Sequence, residues 1–297
     1  MPGGALVHAG ASAIIARIML PPIDYLIIGH ITKDILPGGG HALGGTVAYS
    51  GLTASMFGVK VGAVTSTGPD LASSALGDLT IHRLVAPTST TFINEYSPTG
   101  RSQRIKGHAT ALHFWDVPPE WRRPRWVHLG PVANEVDLGL ADAFPDSFVG
   151  LTPQGWFRQW DQSGRVHATS WLTADHAISH ADAVIISLED VDGDEAAVRA
   201  LADRCPVLVL TDGAHGARVY SRGTMRLVPA HPVLEVDPTG AGDIFAAAFF
   251  ILFESTGDDL ESARLAARLA TLSVTRRGLD GIPSWAEVEA IQQMVHL

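Results

Sequence analysis

The segment Glu235 to Phe245, EVDPTGAGDIF, sets Gly240, Ala241 and Gly242 directly before an apolar run and puts a carboxylate, Asp243, at its start. With so little side chain in the way, successive backbone N–H groups can face an anion at the positive end of a helix dipole. A carboxylate beside such an anion hole repels what the amides attract, so the pairing suits a site in which a neutral hydroxyl comes between them. Asp243 would orient that hydroxyl and accept its proton as it attacks a phosphoryl group, while the amides and a Mg²⁺ ion absorb charge on the phosphoryl oxygens. On the first turn of a helix the ionised carboxylate is the favoured form. Taken alone, the string also reads as a turn with an ordinary helix N-terminal acid.

A second glycine turn, Thr211-Asp212-Gly213-Ala214-His215-Gly216, follows the apolar run VLVL. A strand ending in threonine and spaced glycines lets backbone and hydroxyl approach phosphate at the carboxyl edge of an α/β sheet. Glycine is abundant throughout, with 30 of 297 residues, and ten of them fall between Gly29 and Gly68. Such bunching marks tight turns or places where the backbone must come close to something else.

The elements that must carry these turns can be read from the pattern of apolar runs. Residues 24–28, 59–65, 125–129, 147–151, 183–186 and 207–210 are short strand-like segments, each with room for a helix before the next. Runs bounded by turn residues and apolar on both faces indicate a mostly parallel sheet covered by helices. Thr46 to Phe57 reads as a small-residue helix ended by Gly58, and Ile244 to Phe253 as a fully buried helix. Asp258 and Asp259 open a further helix with Leu265, Leu269 and Leu272 on one face, closed by Arg276, Arg277 and Gly278. Residues 89–106 alternate around a Pro-Thr-Gly turn as a half-exposed hairpin would, and residues 156–171, with three tryptophans, read as a loop packed on the body.

Composition narrows the function classes. At 46% hydrophobic and 18% charged, the chain can bury a large core, and its net charge of -10 is the wrong sign for neutralising a nucleic-acid backbone. The longest apolar run is far too short to span a membrane. The lone Cys205 excludes an internal disulfide and fits a reducing, cytoplasmic setting. The first residues lack a basic region ahead of their apolar stretch, so residues 1–22 read as an N-terminal extension and not a secretory signal. His176 and His180 stand four apart, the spacing of two ligands on one helix face; without a third well-spaced ligand they read as surface histidines.

The full string D-P-T-G-A-G-D-x-F resembles the C-terminal signature of the ribokinase-like (PfkB) carbohydrate kinases. The resemblance extends over nearly all of residues 23–297. It implies a three-layer α/β/α fold with a mostly parallel central sheet and a small, reduced β lid, here about residues 34–43 and 89–108. It implies Asp243 as base with Gly240, Ala241 and Gly242 as anion hole. GHITKD and the glycine pair then place Asp34, Gly44 and Gly45 on substrate, and Gln154 lies where this family projects loops towards it. TDGAHG resembles the family's nucleotide turn, giving Thr211, Gly213 and Gly216, with Asp237 and Thr239, to the nucleotide. The implied cofactors are ATP and Mg²⁺, and the implied partner is a small polyol, with the chain a monomer or homodimer.

Three departures qualify the resemblance. Where the family often carries N-x-x-E, this chain has Ser187 and Asp190, with Glu189 alongside, so Glu189 and Asp190 would reach Mg²⁺ through water. Tyr49 replaces a common asparagine, and only Ile35 to Leu43 separates Asp34 from Gly44, which predicts a lid built mainly from the 89–106 hairpin. GGTVAYSG, the TTF strand and GPVANE look closer to the branch of plant-type myo-inositol kinases than to ribokinase or fructokinase. A sugar or a cyclitol such as myo-inositol is thus the expected acceptor. A nucleoside kinase of the same fold, or a ligand-binding protein that has lost turnover, are the alternatives. A nicotinamide dehydrogenase is disfavoured because no G-x-G-x-x-G joins the first strand to a helix.

Overall fold

The computed structural model describes residues 20–36, 38–72, 74–77, 79–97 and 100–295. Most of the proposed N-terminal extension, and the tip of the 89–106 hairpin at residues 98–99, lie outside the described residues. In chain order the first strands and helix are β1 (Tyr25–Ile28), β2 (Thr32–Ile35), β3 (His41–Gly44), α1 (Thr46–Met56), β4 (Val61–Thr67) and β5 (Thr80–Val85). Next come β6 (Thr91–Ser97), β7 (Gly100–Gly107), β8 (Trp126–Leu129), β9 (Phe148–Leu151), β10 (Arg158–Trp160) and β11 (Val166–Ala168). The chain continues through α2 (Asp175–Ser179), β12 (Ala183–Ser187), α3 (Glu195–Ala202), β13 (Val207–Thr211), β14 (Ala217–Ser221) and β15 (Thr224–Val228). It ends with α4 (Ala241–Thr256), α5 (Asp259–Ser273) and α6 (Trp285–Met294).

Nine strands form the central sheet in the order β15-β14-β13-β12-β9-β8-β1-β4-β5. From β5 to β13 every pairing is parallel, and β14 and β15 add an antiparallel edge. The continuous apolar runs follow from burial on both faces. In YLII, Tyr25 and Ile27 pack into the core shared with α1, α4, α5 and α6, while Leu26 and Ile28 pack into the opposite core under α2 and α3. Ile244 to Leu252 of α4 are all buried, as the sequence predicts for this helix.

Several expectations need correction. Between β8 and β9 there is no α-helix; a five-residue 3-10 segment, Leu138–Asp142, caps the sheet there, and α2 before β12 is only five residues long. Residues 156–171 are not an irregular loop but a 3-10 turn, Pro153–Phe157, followed by the β10–β11 ribbon. On α5, Leu265 and Leu269 are buried but Leu272 is 39% exposed, so the apolar face is narrower than its spacing suggested.

The lid occupies the expected segments but has more strands than a lid built mainly from the 89–106 hairpin. Four strands make it, in the order β3-β2-β6-β7, because the short segment 35–43 still folds into a hairpin whose turn is closed by Gly39 N–H donating to the Leu36 carbonyl at 3.1 Å. Gly38 to Gly40 thus belong to a hairpin turn that lets two four-residue strands fit in so few residues. Among the described residues no helix is long and apolar enough to cross a membrane.

Candidate active site

The carboxyl ends of the parallel strands gather the turns singled out in the sequence: Gly29 after β1, Gln154 after β9, Ser187 to Asp190 after β12, and Thr211 to Gly216 after β13. That edge is where open α/β sheets present backbone groups to ligands. The N-terminus of α4 is joined to it through α1.

Gly240 is the N-cap of α4 and adopts the left-handed region, φ 79°. A side chain there would overlap the ring of Tyr49, which lies directly against it. The Ala241 amide donates to the Pro238 carbonyl at 3.2 Å, and Ile244 N–H donates to the Gly240 carbonyl at 2.9 Å. Among the described residues the amides of Gly240, Gly242 and Asp243 have no acceptor, and a Cβ built on Gly242 meets nothing within 4 Å. The donors open to an anion are therefore those of Gly240, Gly242 and Asp243, with the Ala241 amide committed to the turn.

Asp243 differs from the sequence expectation. Burial pushes its carboxyl up from 3.8 to about 6, against the opposing pull of a hydrogen bond from Thr46 and the positive charge of Arg158. Desolvation outweighs the helix dipole because protein packs round the carboxyl even though solvent reaches part of it. Thr46 is the first residue of α1, and one turn on, Ser50 Oγ donates to the Asp243 carbonyl at 2.8 Å. Thr46, Tyr49 and Ser50, at i, i+3 and i+4, thus form one helix face backing the start of α4.

Asp34 sits on β2, where Thr32 Oγ1 donates to its Oδ1 at 3.1 Å. A Cβ at Gly44 would come 2.7 Å from Asp34 Oδ2, and one at Gly45 would overlap the His30 carbonyl. The glycine pair is needed because the lid strand and the β1 turn cross it closely. Burial, and after it the charges of Asp237, Asp243 and Asp34, raises the pKa of the Tyr49 hydroxyl. The charges of the predicted substrate and catalytic carboxylates, Asp34 and Asp243, thus both reach Tyr49.

Of the remaining candidates, Gln154, Glu189 and Asp190 line a cleft of about 800 Å³ together with Ser102 and Gln103 of the lid, Arg158, Arg165 and Asp212, whereas Thr211, Gly213, Gly216, Asp237 and Thr239 lie outside its lining. Gln154 Nε2 donates to Asp190 Oδ1 at 2.9 Å, so it steadies Asp190. Asp190 Oδ2 accepts from Ser187 N–H at 2.8 Å, and Ser187 Oγ accepts from Asp190 N–H. The S-x-x-D departure is thus a capping box that holds a carboxylate at the cleft wall. Exposed Glu189 and this Asp190 are oxygen donors suited to Mg²⁺ through water, with Asp190's oxygens already engaged by protein. Thr211 Oγ1 donates to the Ile186 carbonyl at 3.2 Å, fixing the turn in which Gly213 and Gly216 stand. Asp237 accepts from Thr239 N–H at 3.0 Å and Gly278 N–H at 2.9 Å, so it clasps the α4 entry turn to the 278 turn. Sequence reasoning missed Thr46, Ser50 and Arg158. Thr46 follows the glycine pair directly, a signal that was available; Arg158 lay in the stretch taken for a loop.

Residues 167–285 match the model described as pfkB family carbohydrate kinase. The chain is 46% identical over 87 residues to the ribokinase of Bacillus subtilis (strain 168), covering 28% of this chain and 29% of that protein. It is 30% identical over 194 residues to a fructokinase of Escherichia coli, covering 58% of this chain and 62% of that protein. In both cases the alignment spans less than two thirds of the relative. A solved pyrophosphate-dependent kinase in the ribokinase family, complexed with a pyrophosphate analog and myo-inositol, superposes with a TM-score of 0.76 at 19% identity, covering 90% of this chain and 99% of that one. Residues 167–285 thus belong to the pfkB family of carbohydrate kinases, set in a chain whose fold is ribokinase-like throughout the described sheet and lid.

Proposed function

We propose that this chain is a phosphotransferase that moves a phosphoryl group onto a hydroxyl of a small polyol, a sugar or a cyclitol such as myo-inositol. The observation that carries this reading is the pairing at the start of α4 of amides without an acceptor among the described residues, those of Gly240, Gly242 and Asp243, with a carboxyl whose pKa has been raised to about 6. Such a group is a better proton acceptor than an ordinary aspartate and is still mostly ionised at neutral pH. Asp34, held by Thr32, binds acceptor hydroxyls beside Gly44 and Gly45. Asp243 orients the attacking hydroxyl and takes its proton, while the amides receive the phosphoryl oxygens. Glu189 and Asp190 would hold Mg²⁺ through water, and the ion would neutralise charge on the donor phosphates.

ATP is the proposed donor, held at the Thr211, Gly213 and Gly216 turn. Pyrophosphate is the second reading. Two guanidinium groups in the cleft, Arg158 and Arg165, suit a bare polyphosphate, and a structural neighbour is described as pyrophosphate-dependent. Turnover measured with ATP and with pyrophosphate against a panel of sugars, cyclitols and nucleosides separates these readings. Ligand binding without turnover for every donor and acceptor would instead identify a binding protein.

The base imposes a pH dependence. Protonation removes the acceptor, so kcat/KM is expected to fall as pH drops through about 6 and then by about tenfold per pH unit. Thr46 holds that value down. Thr46→Val should move the midpoint upward and, for a hydrogen bond to a charge of ~1.5 kcal/mol, cost about tenfold in rate at pH 6, with recovery at higher pH. Thr46→Ser keeps the hydroxyl and should keep the profile. An unmoved midpoint in Thr46→Val would remove Thr46 from its positioning role.

A further inference from the structure

We propose that Asp142, His176 and His180 form a surface site for a borderline divalent cation of the Zn²⁺ class, on the outer face of the molecule and separate from the cleft. The sequence shows only the two histidines, four apart. The fold supplies the third ligand: the 3-10 segment that ends at Asp142 packs beside α2, and one ligand atom from each of the three residues lies within 4.8 Å of the others.

The local chemistry favours a metal over a simple ion pair. His176 Nε2 and Asp142 Oδ2 are 3.2 Å apart, close to the ~3.3 Å that separates two ligands of a tetrahedral ion with bonds of about 2.0 Å. His180 Nδ1 lies 2.8 Å from the His176 carbonyl, which only an Nδ1–H can satisfy, so Nε2 of that ring keeps the lone pair that a cation needs. This is the usual way a ligating imidazole is fixed by a carbonyl on its other nitrogen. The two rings lie 4.4 Å apart, near enough for both to reach one ion. Two imidazoles and one carboxylate suit Zn²⁺, Co²⁺ or Ni²⁺ and not Mg²⁺, with water completing the shell. All three residues are exposed, so a cation can enter without rearrangement. Bound there, it would tie the segment after β8 to the helix before β12, two stretches that connect neighbouring parts of the central sheet.

The experiment uses the full chain, freed of metal by chelation and titrated with ZnCl₂ by calorimetry, with the thermal midpoint followed in parallel. The expected result is one Zn²⁺ per chain at micromolar or tighter affinity, a midpoint raised by saturating Zn²⁺, and no such rise with Mg²⁺. Co²⁺ should give the visible absorption of a tetrahedral nitrogen and oxygen site. His176→Gln, His180→Gln and Asp142→Asn should each weaken binding by at least tenfold while leaving turnover with saturating Mg²⁺ unchanged. Absence of stoichiometric Zn²⁺ binding to the wild-type chain overturns the proposal, and so does binding that survives all three substitutions, which would place it on other histidines.

Discussion

Asp243→Asn should lower kcat by about 10³-fold and, at the same time, raise the melting temperature at pH 8. The first effect follows from loss of the proton acceptor and of the charge that orients the hydroxyl; general bases contribute roughly 10² to 10⁴. The second follows from the direction of the pKa shift. A carboxyl at 3.8 in the unfolded chain and about 6 in the folded one binds its proton more tightly when folded. Between these values stability falls as pH rises, and above about 6 the full cost of keeping the ionised carboxyl is present. Because solvent reaches part of the group, that cost is about 1–2 kcal/mol rather than the whole shift. Asparagine removes it, so the gain in melting temperature should be present at pH 8, shrink through the interval from 6 to 4, and vanish below. Thermal melts across pH, paired with turnover assays, read both effects. Near-normal turnover in Asp243→Asn would remove Asp243 as the base, whatever happened to stability.

Gly240→Ala and Gly242→Ala should separate fold from function within one turn. At Gly240 the backbone is left-handed and the added methyl would overlap the Tyr49 ring, which cannot retreat because Tyr49 is buried in the core. A left-handed alanine costs about 1 kcal/mol and overpacking a further 1–3, so Gly240→Ala should lose about 2–4 kcal/mol in a denaturant titration. Gly242 has room for a methyl and needs no special φ. Gly242→Ala should stay within about 0.5 kcal/mol of wild type, yet lose turnover, because its methyl enters the space beside the open amides. Equal stability of the two variants would show that the Tyr49 contact does not hold the turn.

Much of the frame was legible because its signals are local. The strands are short apolar runs buried on both faces, and the buried α4 announced itself as an apolar run with a glycine turn ahead of it. That Asp258 and Asp259 open α5 is read from neighbouring residues, and in the structure Asp258 is the N-cap, its carboxylate accepting the Glu261 amide at 2.9 Å. The strands of the 34–43 segment are not legible from its length, because the triple-glycine turn lets a hairpin fit into few residues. The tryptophan-rich stretch is not legible in sequence because its order comes from packing: Trp156 and Phe157 are buried, while the ribbon strands β10 and β11 pair with each other and a bridge at Arg165 joins the ribbon to the lid.

The sequence by itself determined the glycine turns, the core strands of the parallel sheet with the buried α4, and the acid at the start of that helix, since each depends on residues adjacent in the chain. Tertiary structure alone decided what those residues became chemically. Thr46 and Asp243 are far apart in sequence, yet their contact and the burial round them set the carboxyl near 6 instead of in the ordinary aspartate range. Asp142 likewise meets His176 only because two connections pack on the same face of the sheet. The physical reason is the same in both cases. Desolvation and charge depend on what surrounds a group in space, and one strand's worth of sequence carries no record of the neighbours that the fold will bring.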